Sequence, residues 1–197
     1  MSATRTVGVL SPTDEEIEPY LAAVRHGQGR PEVVSADAQL PESVGGLLVI
    51  GERQFSGDVP VALKEALSRD LPVLGVNRGM HALNVALGGK PPVEAPDADG
   101  APVKRPVFLS PGGKVSSTIT GSGWVSVTFR NSWGIRPSEL GPGLLATCYR
   151  EDQFVAAFEV PGRHWTIGVQ WDAHRVDELP GGFDNLLLAL CERATGE

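Results

Sequence analysis

The residues best placed to do chemistry sit at two points of the chain. At residue 77 an apolar run over 72–76 meets a sharp turn that opens into an apolar helix over 78–87. A strand ending this way presents one side chain at its tip, where a Ser or Cys would be exposed to attack a carbonyl. The tip residue is Asn77, whose amide has no ionisable group near neutral pH and whose nitrogen lone pair is delocalised. Acyl transfer through it is therefore not expected. The second point is Asp172 with His174. In an extended segment, side chains two residues apart leave on the same side. That offers two readings: an acid–base pair with Asp172 orienting His174, or an exposed carboxylate and an exposed imidazole on a loop. The two thiols, Cys148 in a strand-like run and Cys191 in a helical pattern, read as buried and reduced. No Cys/His cluster has zinc spacing, and neither a metal nor a cofactor is implied.

The elements that must position these residues follow from periodicity. Residues 6–10, 32–35, 46–50 and 72–76 read as strands, mostly continuous apolar runs. Helical spacing runs over 15–24, 59–69 and 78–87, the first introduced by Thr13 and Glu16 in a capping-box arrangement and the third ended by Gly88 and Gly89. This alternation indicates a mostly parallel sheet with helices on both faces. Residues 90–105 are rich in Pro, Asp and Ala and are expected to form a long surface loop. Beyond it, 107–109, 115–119, 125–129, 144–150, 154–159 and 165–170 read as strands, some of them antiparallel, before a closing helix over 182–193. Trp124, Trp133, Trp165 and Trp171 read as core or cleft walls, with Trp133 also a candidate wall of a remodelled pocket.

Bulk properties narrow the function classes. A chain of 197 residues is expected to form a single domain over 1–197. Its hydrophobic content of 41% and charged content of 21% are ordinary for a globular protein. A net charge of −7 argues against a nucleic-acid-binding surface. No apolar run approaches a membrane span, and the N-terminal residues lack the layout of a signal peptide, so a cytoplasmic location is expected.

The segment Gly75-Val76-Asn77-Arg78-Gly79-Met80, with Asn84-Val85 and Gly88-Gly89 downstream, resembles the nucleophile elbow of the class I glutamine amidotransferase-like superfamily. Within it the chain is most similar to the gamma-glutamyl-gamma-aminobutyrate hydrolase (peptidase C26-like) branch, whose elbow reads G-[IV]-C-R-G-x-Q-x-x-N-V-x-x-G-G. Ile167-Gly168-Val169-Gln170-Trp171 resembles the branch's G-V-Q-W-H-P-E, and Asn131-Ser132 resembles the start of its N-S-x-H-H-Q. The resemblance covers nearly the whole chain. It implies a flavodoxin-like three-layer α/β sandwich: a mostly parallel central sheet, helices on both faces and added antiparallel strands in the C-terminal half.

The resemblance also implies which positions would carry a Cys–His–Glu triad. They are Asn77 for the cysteine, Asp172 for the histidine and His174 for the glutamate, so all three have changed. The glycine pair that faces the elbow is here Gly51-Glu52, and the Glu52 carboxylate would oppose a developing oxyanion, although the backbone N–H groups of Glu52 and Arg78 remain candidate oxyanion donors. His81 replaces the motif's Gln, and Arg78 is expected to be structural. Further pocket candidates are Asn131 and Trp133. Asn77 and Asp172 form a static polar pair in one reading, with no turnover. Three functions follow as expectations. The first is a catalytically degenerate, non-hydrolytic binding or regulatory protein with a small-molecule ligand, a partner protein or a homodimer. The second is a repurposed enzyme of a specialised biosynthetic pathway, using Glu52, Asp172 and His174 for non-covalent acid–base chemistry. The third, least favoured, is residual gamma-glutamyl hydrolysis.

Overall fold

The apolar runs become strands buried on both faces, which leaves them nowhere to lie except the middle of a covered sheet. A computed structural model describes residues 5–11, 17–51, 58–95, 101–130 and 132–194. In chain order the elements are β1 (Thr6–Leu10), α1 (Glu18–His26), β2 (Arg30–Val34), β3 (Gly46–Val49), α2 (Val61–Ser68), β4 (Val73–Val76), α3 (Arg78–Ala86), β5 (Val93–Glu94) and β6 (Val103–Leu109). There follow α4 (Lys114–Ile119), β7 (Gly123–Phe129), β8 (Trp133–Gly134), β9 (Leu145–Arg150), β10 (Val155–Glu159), β11 (Thr166–Val169) and α5 (Asn185–Arg193). Nine strands form one sheet in the order β2-β1-β3-β4-β11-β10-β9-β6-β7, and β5 pairs with β8 apart from it.

The sheet has two halves. From β2 to β11 every neighbouring pair is parallel. From β11 to β7 every pair is antiparallel. Helices α1, α4 and α5 pack their apolar residues on one face, with Val24, Val115 and Leu190 fully buried there. Helices α2 and α3 cover the other through Leu63, Ala66, Met80 and Leu83. The expected three-layer α/β architecture with an antiparallel C-terminal extension is what the chain forms.

Three expectations need correction. Residues 115–119, expected as a strand from their β-branched content, belong to α4. The Val115 N–H donates to the buried Glu159 carboxylate at 3.2 Å, and Ser116 Oγ exchanges hydrogen bonds with the Gly113 backbone. These tertiary contacts outweigh the small intrinsic cost of β-branched residues in a helix. The expected loop over 90–105 contains β5 and the first three residues of β6, because Val93 and Glu94 find partners in Gly134 and Trp133. Trp124, expected in the core, is 65% exposed on edge strand β7 and meets the Phe108 ring edge-on at 5.4 Å. Thr13 and Glu16 lie outside the described residues; the described part of α1 starts at Glu18 and runs two residues past its expected end.

The turn from β4 into α3 is the tightest junction in the fold. A Cβ on Gly79 would lie 1.9 Å from the Val49 carbonyl oxygen, and one on Gly75 would lie 2.6 Å from the Gly79 carbonyl oxygen. Both obstacles are backbone, so neither can rotate away. Gly79→Ala is therefore expected to destabilise the fold by about 3 kcal/mol. Chemical denaturation should read this as a lower midpoint with an unchanged slope.

Candidate functional site

Asn77 occupies the tip of that junction with φ 51° and ψ −111°, a conformation few non-glycine residues adopt. It is held there by backbone bonds on both sides. Its N–H donates to the Val169 carbonyl at 2.8 Å, and its carbonyl accepts from the His81 N–H at 3.1 Å. The side chain, only 3% exposed, turns toward the end of β11, where Asn77 Nδ2 donates to Asp172 Oδ1 at 2.6 Å. The polar pair read from the sequence is thus formed.

Asp172 is itself buried, and two guanidiniums meet its other oxygen. Arg130 Nη1 donates to Asp172 Oδ2 at 3.2 Å, and Arg175 Nε lies 3.3 Å from the same atom. Arg130 also donates to Glu178, and that bond holds the Glu178 carboxyl below its ordinary range. Two carboxylates and two guanidiniums therefore close on one another, with the Asp172 charge compensated inside the network as a buried charge must be. Sequence reasoning missed Arg130, Arg175 and Glu178. Arg130 directly precedes the Asn131-Ser132 motif, while Arg175 and Glu178 follow Asp172 at a spacing of three, and the short helix over Val176–Glu178 turns them toward it.

Neither reading of Asp172 and His174 holds as stated: the two do not form a hydrogen-bonded pair, and the Asp172 carboxylate is buried instead of exposed. Residues 173–174 form a turn, not an extended segment, closed by the Arg175 N–H donating to the Asp172 carbonyl at 2.9 Å. This turn takes the His174 ring to Tyr20 of α1, 4.1 Å between centroids. Burial pushes the His174 pKa below its ordinary value, and its Nδ1 is buried without a hydrogen-bond partner among the described residues.

The facing turn also departs from expectation. The Arg78 N–H, a candidate oxyanion donor, is taken by the Gly51 carbonyl at 2.9 Å. Gly51 has φ +152°, and a Cβ there would lie 2.9 Å from the Arg78 side chain, so glycine is required. Glu52 and Asn131 lie outside the described residues. Trp133 is half-buried in β8, paired with Glu94. His81 is fully buried under the elbow, with Nε2 2.8 Å from Gln170 Oε1. The thiols lie elsewhere: burial raises Cys148 in β9 to about 12 and Cys191 in α5 to about 11, which leaves both protonated and unreactive. Among the described residues no cluster of His, Cys, Asp or Glu is placed to hold a metal ion, and no helix is long and apolar enough to cross a membrane.

Comparison with known proteins bears on the family and the fold. The family model for Peptidase C26 matches residues 58–174. A candidate glutamine amidotransferase of Mycobacterium tuberculosis is 31% identical over 144 residues, which cover 68% of this chain and 44% of that protein. The chain thus spans less than half the length of that relative. Among solved structures, a candidate GMP synthase component from Thermoplasma acidophilum superposes with a TM-score of 0.73 at 17% identity, covering 98% of this chain and 96% of that one. The glutaminase domain of Trypanosoma brucei CTPS with bound acivicin gives 0.73 at 13% identity, with 96% and 93% covered. PurLQS from Thermotoga maritima gives 0.71 at 14% identity, with 96% and 97% covered. At these identities the structural likeness establishes the fold alone.

The buried His81 makes a pH signature. Desolvation is the main cause that lowers its pKa from 6.5 to about 4. The unfolded chain therefore takes up a proton near pH 6.5 that the folded chain refuses until about pH 4. The associated stability is full above pH 6.5 and is lost as pH falls to about 4, by about 3 kcal/mol. Denaturation midpoints measured across that window should show the loss, and His81→Gln should remove this part of the slope.

Proposed function

This chain belongs to the Peptidase C26 family of class I glutamine amidotransferase-like proteins, and from that premise we propose that it is a non-hydrolytic member. On this reading 1–197 forms one amidotransferase-like domain in which two of the triad positions, Asn77 and Asp172, are joined in a polar network with Arg130 and Arg175. The protein then serves as a cytoplasmic binding or regulatory module, engaging a small molecule, a partner protein or a second copy.

The observation that carries this reading is the 2.6 Å hydrogen bond from Asn77 to Asp172. Amidotransferase chemistry needs a thiolate at the tip and a base beside it. Here an amide stands at the tip with a carboxylate beside it, and the amide nitrogen donates to that carboxylate, while Asn77 Oδ1 is buried without a hydrogen-bond partner among the described residues. The carboxylate's other oxygen is in turn occupied by Arg130 and Arg175. The Arg78 N–H, engaged by Gly51, offers nothing to an oxyanion. The acid–base alternative draws no support from the position of His174, whose ring lies against Tyr20 and whose Nδ1 has no hydrogen-bond partner among the described residues.

The purified chain is expected to release no ammonia from glutamine and to cleave no gamma-glutamyl amide; turnover at an ordinary enzymatic rate would overturn the reading. Asn77→Cys is expected to leave the chain inactive. Its thiol, next to the Asp172 carboxylate, should titrate above the ordinary cysteine range and react slowly with iodoacetamide at neutral pH. Rapid alkylation of that thiol would show that the carboxylate does not control the tip.

A further inference from the structure

On the sheet face covered by α1 and α5, the chain leaves a cavity of about 410 Å³. It lies between α1, the turn that carries His174, and the start of α5. Its walls are largely apolar: the small side chains of Ala22 and Ala23 on α1 make the room, and Leu187 and Leu188 line the opposite side. The polar groups lining it are His26, His174 and Asp184. No Lys or Arg lines it among the described residues.

The charge balance of these groups decides what can enter. His174 is neutral at neutral pH because burial lowers its pKa, so it does not cancel the Asp184 charge. Asp184 sits at the N-cap position of α5 but makes no side-chain capping bond there, which leaves its oxygens available. The α5 N-terminus contributes roughly half a positive charge, less than the full negative charge of the carboxylate. An anion would meet that carboxylate with no cation to offset it. A neutral apolar molecule would fill the walls and leave the carboxylate unused. We propose that this cavity binds a small primary amine with an apolar body, an arylalkyl or alkyl ammonium ion, whose ammonium group is held by Asp184 and whose body lies on Ala22, Ala23, Leu187 and Leu188. Ammonium to carboxylate is a charge-assisted bond, among the stronger polar contacts available, and the volume suits a ligand of this size. The proposal is independent of the fate of the Asn77 position.

Three probes of one shape separate charge from shape: 2-phenylethylamine, 2-phenylethanol and phenylacetate. Calorimetric titration of the full chain is expected to show one site for the amine, with the alcohol and the acid weaker by about tenfold or more. Asp184→Asn should weaken the amine by about tenfold while leaving the alcohol unchanged, and Ala22→Leu should abolish binding of all three by filling the cavity. In the unsubstituted chain, magnetisation transfer should connect the phenyl protons to the Ala22 and Ala23 methyl groups, a readout that does not depend on either variant folding. Equal affinity for phenylacetate, no effect of Asp184→Asn, phenyl contacts to other residues, or no binding of the amine would each overturn the proposal.

Discussion

The close approach of two backbone segments governs the site. Gly79 lies against the Val49 carbonyl so tightly that not even a methyl group fits, and Gly75 lies against Gly79 in the same way. These contacts fix the path from β4 into α3 and force residue 77 into a positive φ whatever its side chain. The strain is imposed by packing, not by the chemistry at the tip, so the elbow does not depend on which side chain stands there. With ψ −111° the conformation lies outside the left-handed helical region that Asn tolerates, so Asn77 holds it at a cost that the surrounding packing bears.

With the tip fixed, residue 172 is fixed beside it, because β4 and β11 run parallel in register from Val73 with Thr166 to Val76 with Val169. Whatever occupies the two positions must be complementary at hydrogen-bond distance. An amide donor and a carboxylate acceptor are complementary without any proton exchange. The buried negative charge that results needs compensation, and the chain supplies it from Arg130 after β7 and from Arg175 just downstream. The residue type at the tip is thus tied to charges on two other segments, Arg130 after β7 and Asp172 with Arg175 after β11.

Much of this was legible in the sequence. Continuous apolar runs alternating with helical spacing gave the covered parallel sheet, and the elbow motif with its glycines located residue 77. The Asn77–Asp172 pair was legible as one reading, because the family resemblance places the two at the positions of a Cys–His pair. The Arg130 and Arg175 contacts were not, because a guanidinium reaches its partner through a long side chain that no local pattern constrains. A loop at 172–174 was one of the two readings, and Asp172 is a favoured first residue of a turn; what the sequence did not show is that the carboxylate is buried. The turn is closed by the Arg175 N–H on the Asp172 carbonyl. Helix α4 was misread for a similar reason: Val-Ser-Ser-Thr-Ile prefers a strand locally, and the carboxylate that favours the helix, Glu159, is far away in sequence.

The bond from the Arg78 N–H to the Gly51 carbonyl has a bearing on the history of the site. It is a backbone feature, separate from the side chains at 77, 172 and 174. On the proposed non-hydrolytic reading, a lineage moving toward hydrolysis would need a new tip residue, a new neighbour, release of two arginines and a rotated peptide. None of these changes is rewarded by turnover until the others are present. Selection for hydrolysis therefore sees a plateau and not a slope, and drift is more apt to deepen the closed arrangement than to undo it.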